Sequence, residues 1–277
     1  RDNKSILEEK KFVKQLAKRL NFAYSYFDIS KSEFDSLHDS SLENTARILR
    51  YQKLSINAQK FNSNIILLGH TANDSAETIL FNIIRGSGLK GIEGIRKITS
   101  KKINDNQFKI LRPLIDIKKD ITEKICTENF INPIFDKSND DYKFTRNKIR
   151  KEIIPELEDI NPKVINALIK LGDIAKIKNS SEEGYVSYFY SNLVSEHNNN
   201  YQIKDLIIFK VLPESIRKEI IKIIIEKNSN YIQINKEHIY KIDELLCSDG
   251  SKYYDLPNNI KFAKEYNMAN FEKKKQV

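Results

Sequence analysis

Two carboxylates, a histidine and five arginines in this sequence are spaced so that together they could work on a charged ligand. Asp74 and Glu77 stand three apart in Leu67-Leu68-Gly69-His70-Thr71-Ala72-Asn73-Asp74-Ser75-Ala76-Glu77-Thr78, and Arg85-Gly86-Ser87-Gly88-Leu89-Lys90-Gly91 follows. Side chains three apart share a helix face, so the two carboxylates can act together on one ligand. Upstream, Glu43, Arg47 and Arg50 recur at i, i+4 and i+7. A guanidinium is suited to gripping phosphate or carboxylate through two parallel hydrogen bonds. Downstream, Arg112 closes an apolar run, and Thr145-Arg146-Asn147-Lys148-Ile149-Arg150 sets Arg146 and Arg150 at i, i+4, with room between them for a phosphate. As isolated residues these also fit plainer roles. Asp74 and Glu77 could cap a helix, Glu43 and Arg47 could form an exposed pair of a few tenths of a kcal/mol, and the other arginines could be solvated.

The elements that must position these groups can be read from the pattern. Ile65 to Leu68 is an apolar run that predicts a short strand buried on both faces. Gly69 ends it, and Asn73 or Asp74 can cap the following helix. In that helix Ala76, Ile79, Leu80, Ile83 and Ile84 form the core stripe, with Asp74, Glu77, Thr78 and Arg85 opposite. The acidic first turn then lies at the carboxyl end of the strand, where open α/β sheets bind ligands. Ser5 to Leu20 predicts an amphipathic helix and Asn21 to Ile29 a strand. Ser40 and Ser41 offer caps for a helix over 42–61, and a further strand spans Gln107 to Leu111. The four glycines from Gly86 to Gly94 allow close backbone approach to a ligand. A helix spans about 118–130, and Asn161-Pro162 starts a long one. Asn179-Ser180-Ser181 suggests a hinge and Glu196 to Asn200 a loop. Beyond lie an apolar run over 203–211, helices near 213–227 and 235–247, and a short strand and turn over 253–257. The domain reading is 1–160 for a catalytic α/β domain with a parallel sheet flanked by helices, 161–200 for a linker helix and hinge, and 201–277 for a smaller α+β domain.

The bulk numbers bound the class. With 277 residues, 40% hydrophobic and 31% charged, the chain suits a globular protein of one large and one smaller domain. No run approaches the roughly 20 apolar residues of a membrane span, no secretory leader is read, and no membrane partner is expected. Cys126 and Cys247 lie far apart without metal-ligand spacing, which points to a reducing compartment. A net charge of +9 favours a polyanionic partner, although AT-rich coding would produce the same excess of lysine.

The series Gly69-His70-x-x-x-Asp74-x-x-Glu77-Thr78, then Arg85-Gly86-Ser87-Gly88-x-x-Gly91, resembles the second signature of the tRNA(Ile)-lysidine synthetases, adenylating enzymes of the N-type ATP pyrophosphatase group. Glu43-x-x-Ala46-Arg47-x-x-Arg50-Tyr51, Arg112-Pro113-Leu114, Asp136-x-Ser138-Asn139, Arg146-Asn147-x-Ile149-Arg150 and Pro155 are similar to further family motifs in the same order. The family usually has Asp-Asp where this chain has Asn73-Asp74. The resemblance implies an adenine nucleotide α-hydrolase-like, Rossmann-like fold and the ligation of free L-lysine to C2 of the wobble cytidine in the CAU anticodon of tRNA(Ile). ATP would adenylate the C2 oxygen, and the lysine ε-amine would then displace AMP. It further implies catalysis by Asp74 and Glu77 and lysine binding by Arg47, Arg50, Asp74 and Glu77. ATP contacts fall to Gly69, His70, Arg85, Gly86 and Arg112, tRNA contacts to Arg146, Asn147 and Arg150, and Mg²⁺ to Asp74. The smaller domain would recognise tRNA. The implied location is cytoplasmic, with a plastid stroma left open by composition, and a homodimer is left open too. No Ser-Gly-Gly occurs in the sequence, so the family's Ser-Gly-Gly-x-Asp-Ser phosphate loop is expected to lie before Arg1, and the 277 residues alone are expected to be inactive. Two other classes compete: another tRNA-modifying ATP pyrophosphatase, such as a thiolase with catalytic cysteines, and a non-enzymatic RNA-binding protein.

Overall fold

The computed structural model describes residues 3–37, 42–134, 145–198, 200–229 and 235–273. Arg1, Ser40, Ser41, Asp136, Ser138 and Asn139, all named above, lie outside the described residues. The chain divides into two compact units, 1–176 and 177–277.

In the first unit α1 spans Asn3–Arg19, α2 Lys31–Ser36, α3 Leu42–Lys60, β1 Ile65–Leu67, α4 Ala72–Ile84, β2 Ile98–Ile103, β3 Asn106–Leu111 and α5 Lys119–Glu128. The sheet order is β1-β3-β2, with β1 parallel to β3 and β2 antiparallel to it. β2 was not read from the sequence. Its signal is Asn104-Asp105, both with positive φ (46° and 64°), which close a two-residue hairpin of the kind that Asn and Asp favour. α3 covers one sheet face, where Tyr51 and Leu54 pack on Ile66, Phe108 and Ile110.

The other face corrects an expectation. Ile65 and Leu67 are 44% and 63% exposed, so β1 buries only Ile66 and not both faces. In a parallel pair, residues facing each other across the register share a face, and Ile65 therefore lies beside the exposed Lys109. The strand expected over Asn21 to Ile29 does not form. A strand exists through ladder bonds to a neighbour, and none of the described strands pairs with this segment. Phe22 is 70% exposed.

α4 also starts earlier than expected. Its cap is Thr71, and Asp74 occupies the third helical position of a capping box, accepting from Thr71 N at 2.7 Å and Thr71 Oγ1 at 2.8 Å. Ala76 and Ile79 are buried as expected, but Ile83 and Ile84 are exposed. Asn73, rather than capping its own helix, accepts from Lys119 N at the start of α5.

α6 (Thr145–Lys148), a π-turn (Ile149–Ile153) and α7 (Ile154–Ile160) follow one another without a break. Pro155 has no N–H and would clash with the carbonyl four residues back in a regular helix. The wider turn, closed by Ile154 N–H to Ile149 O, accommodates it. α8 spans Val164–Leu193, so Asn179-Ser180-Ser181 lie within a helix.

In the second unit the expected loop at Glu196 to Asn200 is the tip of a hairpin between β4 (Val194–His197) and β5 (Asn200–Ile203). α9 (Leu206–Val211), α10 (Glu214–Asn228) and α11 (Lys236–Cys247) precede β6 (Lys252–Leu256), β7 (Ile260–Glu265) and β8 (Met268–Lys273), giving an antiparallel sheet ordered β4-β5-β8-β7-β6. Ile220, Ile221, Ile224 and Ile225 of α10 are fully buried in a core shared with Phe262 and Phe271. Among the described residues no helix is long and apolar enough to cross a membrane.

Candidate active site

Parallel pairing creates the site. Leu67 faces Leu111 in the register, so the residues that follow both strands emerge side by side at one sheet edge. His70 comes from the first strand and Arg112 from the second, and Arg112 Nε donates to His70 Nδ1 at 3.2 Å. β2 runs the other way, so the residues before it reach the same edge. Arg112 Nη1 donates to Arg96 O at 2.8 Å and Thr99 Oγ1 at 3.1 Å.

α4 starts at this edge with its polar first turns. α3 contributes Arg47, and α6 and the π-turn contribute Arg146 and Arg150. Together with the 90–96 loop they line a cavity of about 450 Å³, a size that suits small-molecule ligands. The loop sits tight on α4: a Cβ at Gly94, whose φ is +69°, would lie 2.6 Å from Ser75 Oγ, and Ile95 N donates to that same hydroxyl at 3.2 Å.

The cavity carries an excess of positive charge. Arg47, Lys90, Arg96, Arg112, Arg146 and Arg150 face Asp74, Glu77 and Glu93. Arg150 grips Glu77 with both arms, Nε to Oε1 at 2.6 Å and Nη2 to Oε2 at 2.7 Å, and its Nη2 stands 3.5 Å from Asp74 Oδ1. Arg96 pairs with Glu93, and Arg146 with Glu43 of α3. Arg112 is 5% exposed and Arg47 is exposed against the Tyr51 ring, and neither has a carboxylate partner among the described residues. A buried charge without a counter-charge is costly, and a bound anion removes the cost.

The environment also sets protonation. Burial pushes the Glu77 carboxyl above the usual carboxylate range, with the Arg150 guanidinium pulling the other way. Pairing with Glu77 raises Arg150. Burial lowers His70, and Arg112, Arg47 and Arg50 lower it further, against an opposing pull from Asp74.

A model of the PP-loop domain matches residues 3–157. The chain belongs to that family. Among curated relatives of this PP-loop chain, the tRNA(Ile)-lysidine synthase of Clostridium acetobutylicum is 29% identical over 268 residues, covering 94% of this chain and 55% of the relative. That of Clostridioides difficile is 30% identical over 267 residues, covering 90% and 53%. That of a Nostoc species is 40% identical over 134 residues, covering 48% and 38%. The chain thus spans about half the length of the relatives that match most of it.

Of the residues singled out from the PP-loop sequence, the cavity gathers Arg47, His70, Asp74, Glu77, Arg112, Arg146 and Arg150. Gly69, Arg50, Arg85, Gly86 and Asn147 do not line it. Arg85 and Gly86 stand at the far end of α4, where Arg85 stacks on Phe81 and Gly86, with φ +71°, takes the left-handed turn after the helix. Arg85 lies eleven positions beyond Asp74, about 16 Å at the helical rise. Glu77 is not a free carboxylate on a polar face, and Arg150 is not a free cation, because each satisfies the other. Asp74 spends Oδ2 on Thr71 and turns Oδ1 toward Arg150, a poor setting for the metal expected there. Among the described residues no three His, Cys, Asp or Glu side chains converge as a metal site. The residues missed were Glu93, Arg96 and Thr99. Their signal was the strand before the Asn104-Asp105 turn, which brings that segment beside Arg112.

Proposed function

We propose that this chain is the catalytic portion of a tRNA(Ile)-lysidine synthetase. The whole enzyme would ligate the ε-amine of L-lysine to C2 of the wobble cytidine of a CAU anticodon. The observation that carries this reading is the cavity at the strand ends, where the unneutralised Arg112 and Arg47 stand beside the acidic first turns of α4. A zwitterionic amino acid and a polyanionic nucleotide both need that mixture of charges.

The C2 oxygen of the cytidine attacks the α-phosphorus of ATP and pyrophosphate leaves. The lysine amine then attacks C2, AMP leaves, and the amine's proton passes to a carboxylate. Arg112 and Arg47 hold an anionic group through charge-assisted hydrogen bonds. Asp74 supplies the carboxylate with the most freedom to meet an ammonium group. Arg150 is a positioning residue that favours the ionised form of Glu77 and holds it in place, and Arg146 meets tRNA phosphate. The second unit would contribute to tRNA recognition.

Neither cysteine lines the cavity, which disfavours a thiolase. Filter binding tests the reading. CAU-anticodon tRNA(Ile) should bind at least about tenfold more tightly than tRNA(Ile) with a GAU anticodon. Equal affinity for both tRNAs would instead mark a general RNA-binding protein.

A further inference from the structure

We propose that His70 is a neutral hydrogen-bond donor of fixed tautomer, aimed at an anionic oxygen of the ligand, and that Arg112 sets the tautomer. The anionic oxygen would come from a nucleotide phosphate or from an amino-acid carboxylate, an assignment that rests on the ligation reading. The tautomer itself rests on geometry alone.

A guanidinium has only donors and keeps its Nε proton throughout the accessible pH range. Arg112 Nε lies 3.2 Å from His70 Nδ1, so Nδ1 must be the acceptor and carry no proton. The proton of the neutral ring is then on Nε2. Arg112 cannot swing away easily, because it is buried and its Nη1 is tied to Arg96 O and Thr99 Oγ1. Protonating Nδ1 would set an N–H against the Arg112 Nε–H, with Arg47 and Arg50 adding repulsion and only Asp74 opposing them.

His70 lines the cavity, and its Nε2–H has no partner among the described residues. The ring therefore offers a donor without adding to a surplus of positive charge. A histidine held this way cannot act as a general base through Nδ1, and it polarises an oxygen without transferring a proton to it.

Long-range proton–nitrogen correlation on ¹⁵N-labelled protein reads the tautomer directly. The His70 signals, among four histidines, are assigned by their loss in His70→Gln. At pH 7 they should show a neutral ring protonated at Nε2, and Arg112→Met should convert them to the mixed tautomers of a free imidazole. Separate titrations with AMP and with L-lysine should shift Nε2 for the ligand whose oxygen it meets. His70→Leu should weaken that ligand about tenfold or more, whereas His70→Gln, which retains an amide donor, should lie within a few fold of wild type.

A charged ring, a proton on Nδ1, or an unchanged tautomer in Arg112→Met would overturn the inference. Calorimetric binding of AMP or L-lysine with no Nε2 shift from either would overturn the donor role alone. Failure of both ligands to bind would overturn that role together with the ligation reading.

Discussion

Arg150→Ala should destabilise the first unit, and by an amount that depends on pH. The Glu77 side chain is 7% exposed and its principal hydrogen-bond partner is the Arg150 guanidinium. Deleting one member of a buried pair costs about 3–5 kcal/mol. Arg150 itself is 36% exposed, and solvent screening reduces what such a pair contributes, so about 2–3 kcal/mol is expected at pH 8. For a domain of this size that is about 5–10 °C in melting temperature. The sign of the pH effect follows from burial. Without Arg150 only the weaker pull of Arg146 offsets the desolvation that already raises the Glu77 carboxyl. Its value in the folded variant then lies well above the unfolded one of about 4.3. The folded variant therefore binds a proton that the unfolded chain lacks, and its stability falls as pH rises through that window. Thermal unfolding of wild type, Arg150→Ala, Glu77→Gln and the double variant at pH 5 and pH 8 completes the cycle. The deficit of Arg150→Ala should shrink at pH 5, and the double variant should lose the pH dependence. An equal deficit at both pH values, or one below about 0.5 kcal/mol, would refute the argument.

Gly94→Ala should cost about 1–3 kcal/mol in a melting experiment, because the added Cβ meets Ser75 Oγ at 2.6 Å in a left-handed backbone conformation. His70→Gln should flatten stability between pH 7 and pH 5. Burial lowers the folded value of His70, so its contribution is complete above the unfolded value of about 6.5 and is lost as pH falls through the window below; urea unfolding at several pH values checks this. In the second unit, Asp243→Ala strands Arg217, which donates to both Asp243 oxygens at 2.7 and 3.0 Å and to Leu212 O at 2.7 Å. With side chains only 15% and 8% exposed, the loss should be about 3 kcal/mol, read by thermal unfolding followed by circular dichroism.

Local pattern made the strand–turn–helix around Gly69 legible, because apolar spacing and a polar first turn are properties of adjacent residues. The meeting of His70 with Arg112 was not legible in the same way. It depends on the parallel register of β1 with β3, a long-range pairing that no window of sequence contains. Arg85 and Gly86 were grouped with the site because they follow it in the chain, yet a straight helix carries them away from it. Arg146 and Arg150 both line the cavity, but their partners, Glu43 and Glu77, come from other elements. The expected strand at Asn21 to Ile29 failed because β propensity needs a neighbour to act on. β7 and β8 are marked in the chain mainly by the left-handed Asn258, Asn259 and Tyr266 of the turns that bound them.

The most direct test of the central claim is equilibrium binding of labelled L-lysine to this chain, with norleucine as the competitor that lacks only the amine. If the acidic turns of α4 receive the ammonium and Arg112 or Arg47 the carboxylate, lysine should bind at least about tenfold more tightly than norleucine. Asp74→Asn should abolish that preference, and Arg112→Gln should weaken both ligands. Equal affinity for lysine and norleucine, or lysine binding untouched by either substitution, would contradict the account.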